Sequence, residues 1–146
     1  MALEEILRYE STACPNELCQ IRKQVGIACK KLGFAQPEID AITLAIDEAC
    51  TNIIRHAYAN CKNGHVLLQV LTDGEHAIFR LHDNAKKVPK DCLKVKKKDL
   101  HEPGGLGVML MRQIMDWVGF VHTAQCKGNI LELKKKLPKE PDKDAI

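Results

Sequence analysis

Three polar side chains at fourfold spacing are the first candidates for chemistry in this sequence. Glu48, Asn52 and His56 are each four residues apart, so in a helix they would stand one above another at the edge of the apolar face. A carboxylate can accept a proton, and an amide oxygen is a hard ligand that suits Mg²⁺. Taken alone, the stripe is better explained as an ordinary boundary between core and solvent.

A cluster of glycines stands directly in front of an apolar segment. Gly104, Gly105 and Gly107 are three glycines within four positions, a pattern that is costly in conformational entropy. The first turn of a helix presents unpaired amides and partial positive charge, and glycine lets a phosphate approach them closely. Because a linker would not lead straight into an apolar helix, we favour anion binding. No Gly-Lys-Ser or Gly-Lys-Thr follows, so the pattern is not a Walker-type loop.

A third candidate is Asp83, which follows a predicted strand. A carboxylate at a strand end can accept a hydrogen bond from an exocyclic amine. Alone it would be a turn residue, and its position between the polar stripe and the glycines is what makes it a candidate for binding.

These residues must be positioned by strands and helices that hydrophobic periodicity predicts. Strands are expected over residues 3–9, 65–72, 75–82, 119–125 and 129–137, and helices over residues 17–32, 37–58 and 106–118. Gly33 would cap the first helix, and Asp73-Gly74 would form a hairpin turn. Hairpin-joined strands with segregated helices indicate an α+β fold, a two-layer α/β sandwich.

The domain organisation is expected to be simple. Residues 1–138 would form one domain and residues 139–146 a disordered tail. The polar segment over residues 84–103 would be a long mobile loop, which in a compact domain tends to be a functional lid.

Composition indicates a globular cytoplasmic protein. Of the 146 residues, 45% are hydrophobic, and neither a membrane-spanning run nor a signal sequence is apparent. Seven cysteines, an odd number without a Cys-x-x-Cys pair, are expected to be free thiols rather than zinc ligands.

Positive charge is concentrated between residues 86 and 98, where seven lysines face one acid, Asp91. A solvated loop is the simplest interpretation, and a polyphosphate or an acidic partner is also compatible. Nucleic acid is disfavoured because aromatic residues that could stack on bases are lacking near the lysines.

The candidate residues together carry a resemblance to a known family. Residues 45–58, Ala-Ile-Asp-Glu-Ala-Cys-Thr-Asn-Ile-Ile-Arg-His-Ala-Tyr, resemble the N box of the GHKL ATPases, which include histidine kinases, gyrase-type ATPases and heat-shock chaperone ATPases. Asp83 stands where their first glycine box begins, Gly104-Gly-Leu-Gly107 resembles the second, and Gly128-Asn-Ile-Leu-Glu-Leu resembles the closing hairpin. The short chain and its Asp-Glu-Ala-x-x-Asn-x-x-x-His pattern are similar to the anti-sigma-factor serine/threonine kinases of bacterial partner-switching systems.

The resemblance implies a Bergerat-type fold, with helices on one face of a mixed sheet and ATP between the helices and a lid. It implies that Asn52 holds Mg²⁺, that Glu48 acts as a base or positions the attacking group, and that Asp83 reads adenine. The nucleotide-binding residues that it implies are Asn52, His56, Asp83, Ala85, Gly104, Gly105, Leu106 and Gly107.

One position departs from the family pattern. Ala85 stands where the family usually has a glycine, two residues after the aspartate. Its methyl group could crowd the nucleotide or force an unfavourable backbone angle, at a cost of about 1 kcal/mol or more. Such a cost would weaken ATP binding severalfold.

The expected function is therefore an ATP- and Mg²⁺-dependent kinase that phosphorylates a serine or threonine of a small anti-anti-sigma-like protein. A sigma factor and a second copy of the chain are further expected partners. Ala85 motivates an alternative, a non-catalytic, nucleotide-responsive module that sequesters a transcription regulator. A stand-alone ATP hydrolase ranks last, because no transducer domain follows in the sequence.

Overall fold

The structure, a computed structural model, describes residues 2–57, 64–84, 105–121 and 128–139, with the backbone alone described at 56, 57, 105 and 106. The chain forms strand β1 (Glu4–Thr12), helices α1 (Leu18–Lys31) and α2 (Gln36–Asn52), strands β2 (His65–Thr72) and β3 (His76–Asp83), helix α3 (Gly105–Ile114), and strands β4 (Trp117–Val121) and β5 (Asn129–Lys136). A 3₁₀ turn, Pro15–Glu17, precedes α1, and a π-helical turn, Ile53–Ala57, follows α2.

The described strands form one five-stranded sheet in the order β1-β2-β3-β5-β4. The α+β two-layer class is confirmed. The resemblance implied a mixed sheet, whereas all four described pairings are antiparallel. Strands β3 and β4 do run in the same direction, as a single helical crossover between them requires, but β5 lies between them and pairs with both.

The core lies between one face of this sheet and the helices. Side chains alternate along a strand, and those on the helix side of β2, β3 and β5 include most of the fully buried apolar residues of the sheet. The largest fully buried side chains include Leu68, Phe79, Leu81 and Leu133 from the sheet and Ile42, Ile46 and Met111 from the helices. Burial of apolar side chains is the main favourable contribution to folding. Because aromatic residues are scarce, most of these buried side chains are aliphatic.

The opposite face of the sheet carries polar cross-strand pairs. The Arg80 guanidinium donates to the Glu132 carboxylate at 2.6 Å, and the side chain of Glu132 is only 5% exposed. The Lys134 ammonium lies 3.5 Å from Glu132 and 5.3 Å from the ring centroid of Trp117. Removing one member of a buried ion pair leaves an uncompensated charge, so this face is a fixed part of the fold.

Helix α1 ends where the sequence predicted, at Gly33. Gly33 has φ 89°, its amide donates to the Lys30 carbonyl, and the Phe34 amide donates to the Cys29 carbonyl, both at 3.1 Å. This pair of bonds is a Schellman motif. The predicted Asp73-Gly74 turn also forms, and the Asp73 carboxylate accepts from the amides of Glu75 and His76. These two bonds are the main reason that the pKa of Asp73 is lowered.

Helix α3 is shorter than predicted. The sequence predicted a helix through Val118, but α3 ends at Ile114 and Val118 lies in β4. The Asp116 amide donates to the Lys134 carbonyl at 2.9 Å, and the Lys136 amide donates to the Asp116 carboxylate at 2.7 Å. The residues from Asp116 onward that local periodicity assigned to the helix therefore pair with β5 instead.

Two buried cysteines are part of the packing. Burial raises the pKa of the Cys29 and Cys50 thiols to about 12, and the nearby Asp47 carboxylate adds to the effect at Cys50. Such thiols behave as small apolar side chains. Cys14 and Cys19 are free thiols as well. Among the described helices none is long and apolar enough to cross a bilayer. The predicted loop over 84–103 lies, after Asn84, outside the described residues.

Replacing Gly26 or Gly33 with alanine should change the free energy of unfolding in opposite directions. Gly33→Ala should lower the free energy of unfolding by about 1–2 kcal/mol, because alanine is strained at positive φ. Gly26→Ala should raise it by about 1 kcal/mol, because Gly26 lies inside α1 and a Cβ there would meet nothing within 4 Å. Urea unfolding of both variants measures the difference, and equal effects would contradict the assigned helix end.

Candidate functional site

The position of the polar stripe is fixed because the apolar face of α2 is packed in the core. Ile42, Ala45 and Ala49 are 0% exposed and Ile46 is 1% exposed. Glu48 and Asn52 lie one turn apart at the edge of this buried face, and both are half-buried. Two of the three residues of the predicted stripe therefore lie together at the edge of the buried face of α2.

The structure brings Glu48 against the first turn of α3. A Cβ placed on Gly107 would lie 2.7 Å from Glu48 Oε2 and 3.6 Å from Glu48 Cδ. The carboxylate thus occupies the space that a side chain at Gly107 would need. A side chain at Gly107 would displace the Glu48 carboxylate from this position, and the predicted polar stripe and predicted glycine cluster meet at this contact.

Asn52 carries an unsatisfied oxygen at the C-terminal end of α2. Its Oδ1 is buried and has no hydrogen-bond partner among the described residues. Leaving a buried acceptor unpaired costs about 1–3 kcal/mol, so such groups call for an explanation. The helix also changes here into the π-helical turn Ile53–Ala57, and π-helical turns are frequent at functional sites. A buried amide oxygen without a partner fits a hard cation such as Mg²⁺.

Asp83 lies at the end of β3, directly opposite Asn129 of β5. Both the side-chain amide and the backbone amide of Asn129 donate to Asp83 Oδ1, at 3.0 and 3.3 Å. The preceding residue, Gly128, has no room for a side chain, because a Cβ there would overlap the Asp83 carbonyl. The carboxylate predicted to read adenine is therefore held in a tight junction between two strand ends.

A cavity of about 320 Å³ opens beside this junction, at the end of β1, β2 and β3. It is lined by Glu10, Ser11, His65, Val66, Leu67, His82, Asp83 and Asn84. Asp83 is the one predicted site residue in this lining, so the cavity adjoins the predicted nucleotide site without including Glu48, Asn52 or Gly107.

His82, which also lines the cavity, has its ring Nε2 at 3.0 Å from Gln69 Oε1. Its pKa is lowered, chiefly by burial and then by the charges of Arg80 and Arg8. The neutral imidazole is thus favoured in the fold, and its N–H can donate to Gln69.

Several predicted site residues stay predictions. Ala85 and Gly104 lie outside the described residues, as does the lysine-rich segment over residues 86–98. Gly105 begins the helix α3, and the side chains of His56 and Leu106 are not among those described.

Asn129 and Gly128 were missed as candidate site residues by reasoning from the sequence. The available signal was the Gly-Asn pair at the head of the last predicted strand. Its partner is 46 residues away in the chain, and a contact at that separation has no local periodicity to reveal it.

Comparison with known proteins shows the class that this fold and site define. Residues 12–135 match the family of histidine kinase-like ATPase domains. The match covers most of the chain, and the protein belongs to this family. The GHKL resemblance drawn from the N-box and glycine-box residues is thereby confirmed.

Within the family, the chain is similar to serine-protein kinases named RsbW. It is 30% identical over 127 residues to RsbW of Bacillus subtilis strain 168, covering 78% of this chain and 76% of the relative. It is 29% identical over 123 residues to RsbW of Bacillus licheniformis, with the same coverage. RsbW of B. licheniformis strain ATCC 14580 is 27% identical over 146 residues, covering 93% and 88%. These relatives support the anti-sigma-factor kinase branch.

The contact between Glu48 and Gly107 predicts an energetic coupling. Gly107→Ala should gain little or lose stability in the wild-type background, because the new methyl group displaces the Glu48 carboxylate. In a Glu48→Ala background the same change should raise the free energy of unfolding by about 1 kcal/mol, the usual preference of a helix for alanine. A double-mutant cycle by urea unfolding measures the coupling, and a value of zero would disprove the contact.

Because the buried Asn52 oxygen has no hydrogen-bond partner among the described residues, we expect that an apolar residue at this position does not destabilise the free protein. Without nucleotide or Mg²⁺, Asn52→Leu should leave the free energy of unfolding unchanged or raise it by about 1 kcal/mol, because a buried acceptor without a partner is removed. Asn52→Asp should lower it, since a carboxylate would be partly desolvated. Thermal and urea unfolding of both variants provide the check. A clear loss of stability in Asn52→Leu would mean that the oxygen is satisfied.

Proposed function

We propose that this protein is an ATP-dependent serine/threonine protein kinase of a partner-switching, anti-sigma-factor type system. It would phosphorylate a small anti-anti-sigma-like protein in the cytoplasm. The observation that carries the proposal is the meeting of Glu48 with the first turn of α3, one helical turn from the unpartnered oxygen of Asn52. Membership of the histidine kinase-like ATPase family and similarity to proteins named serine-protein kinases support it.

The substrates would occupy the space around this contact. The glycines at the start of α3 would receive the phosphates of ATP, because exposed helix amides attract anions and glycine leaves them accessible. Asp83 would accept a hydrogen bond from the exocyclic amine of adenine. Asn52 would hold Mg²⁺, which when bound neutralises phosphate charge.

The proposed reaction is a direct transfer of the γ-phosphoryl group. The hydroxyl oxygen of the partner's serine or threonine forms a bond to the γ-phosphorus, and the bond from that phosphorus to the β–γ bridging oxygen breaks. ADP leaves with the electron pair of that bond. Glu48 orients the hydroxyl and accepts its proton, a role for which general-base catalysis typically contributes 10²–10⁴-fold. Most of the remaining catalysis would be positioning and electrostatic stabilisation.

In this proposal a second copy of the chain and a sigma factor are binding partners that take no part in the phosphoryl transfer. The lysine-rich segment likewise has a binding role. A sigma factor would be released or held according to the phosphorylation state of the small partner. The lysines between residues 86 and 98 would neutralise phosphate charge or meet an acidic partner surface.

Two neighbouring carboxylates of α2 allow a matched test of the proposed base. With labelled ATP, Mg²⁺ and the cognate small partner, wild type should place label on a serine or threonine of the partner. Glu48→Gln should slow transfer by roughly 10²-fold or more while ATP affinity changes little. Asp47→Asn should transfer normally, because Asp47 pairs with Arg22 of α1 at 2.9 Å. Scintillation counting and phosphoamino-acid analysis give the rates and the acceptor.

Calorimetric titration completes the test. Asn52→Ala should lose the Mg²⁺-dependent part of ATP binding. If wild type binds ATP and leaves the partner unlabelled, the kinase proposal fails and the alternative of a nucleotide-responsive binding module takes its place. If Asp47→Asn is as slow as Glu48→Gln, Glu48 is not the base.

A further inference from the structure

The junction between β3 and β5 contains a buried polar residue, Asn129, beside Asp83. Asn129 is 4% exposed and belongs to the buried polar residues of the protein. Direct opposition across the β3–β5 ladder puts its side chain on the same sheet face as that of Asp83. This is the face that the helices cover, as the burial of Leu81 and Leu131 on it shows.

The chemistry of the contact is directional. The Asn129 side-chain amide and backbone amide are both N–H donors, and both donate to the same oxygen, Oδ1 of Asp83. Two donors from one rigid strand end restrict the rotation of the carboxylate about its terminal torsion, which is otherwise broad. An amide N–H can only donate, so the contact orients Asp83 as an acceptor.

The backbone around the pair is equally constrained. A Cβ on Gly128 would overlap the Asp83 carbonyl and lie 2.8 Å from the Cα of Asn84. The backbone at the start of β5 therefore contacts the backbone at the end of β3. This contact fixes the position of Asn129 beside Asp83.

We propose that Asn129 is a positioning residue that sets the orientation of the Asp83 carboxylate and thereby the protein's preference for adenine over other purines. The inference rests on the proposed function, in which Asp83 meets the exocyclic amine of adenine. Asn129 itself acts through Asp83. Its loss should affect recognition of the base and leave recognition of the sugar and phosphates unchanged.

Inosine triphosphate separates these two parts of recognition. It has the sugar and phosphates of ATP but a carbonyl oxygen in place of the exocyclic amine, so its 6-position presents an acceptor and not a donor to Asp83. Wild type should bind ATP more tightly than inosine triphosphate. Asn129→Ala should weaken ATP binding by roughly tenfold, the size of one lost hydrogen bond to a charged group, with inosine triphosphate affinity unchanged.

Two further variants distinguish a role of Asn129 in base recognition from a role in stability alone. Asn129→Asp keeps the size of the side chain and replaces the donor with a charge that repels Asp83, so it should weaken ATP more than Asn129→Ala does. The exchange Asp83→Asn with Asn129→Asp restores a donor–acceptor pair in the opposite sense. It should unfold at a temperature close to that of wild type and yet discriminate little between the two nucleotides.

Titration calorimetry with both nucleotides, beside thermal unfolding of each variant, gives distinguishable outcomes. A selective loss of ATP affinity in Asn129→Ala and Asn129→Asp supports the inference. An equal loss for both nucleotides, or no loss for either, overturns the positioning role and leaves the kinase proposal intact. Wild type that binds neither nucleotide, or binds both equally, overturns the adenine contact at Asp83 and the inference with it.

Discussion

The packing of α2 is the constraint on which the arrangement of this protein depends. One side of the helix is completely buried against the sheet and the neighbouring helices, with Ile42, Ala45 and Ala49 at 0% exposure. Well-packed interiors hold their side chains in fixed positions, so the helix cannot rotate without opening the core. Glu48 and Asn52 take their positions from this anchoring. Their placement at the edge of the buried face is a consequence of which residues of α2 are apolar.

Close approach of backbone and carboxylate is the second requirement. Glu48 has its observed position against α3 because Gly107 has no side chain to displace its carboxylate, and Asn129 can meet Asp83 only because Gly128 has none. Both glycines have the same physical function, although they lie in different elements. Each lets a backbone segment come near an acidic residue of another element. A Cβ would displace the end of the Glu48 side chain at Gly107 and would overlap the Asp83 backbone at Gly128.

Local pattern was sufficient for much of the fold. The two-layer class, the position of β2, the end of α1 at Gly33 and the polar stripe of α2 all follow from periodicity and turn chemistry within short windows. The pattern was misleading at the end of α3. Val118 continues the helical spacing, but residues 116–121 pair with β5, and a hydrogen-bonded ladder with a distant segment outweighs a weak local preference. The mixed sheet was implied by the family resemblance, and the described pairings are antiparallel because β5, a segment distant in the chain, lies between β3 and β4.

The site was partly visible in the sequence because its residue types are unusual where they stand. Glycines before an apolar helix and polar groups beside a buried stripe are locally costly, and costly features tend to mark function. The Asn52 oxygen extends this argument into the structure: burial has removed its water, and no described protein group has replaced it. A ligand that binds this oxygen recovers that cost only in the folded protein, and binding therefore stabilises the fold. A buried acceptor that no described group satisfies in the free protein thus lies where the proposed ligand would bind.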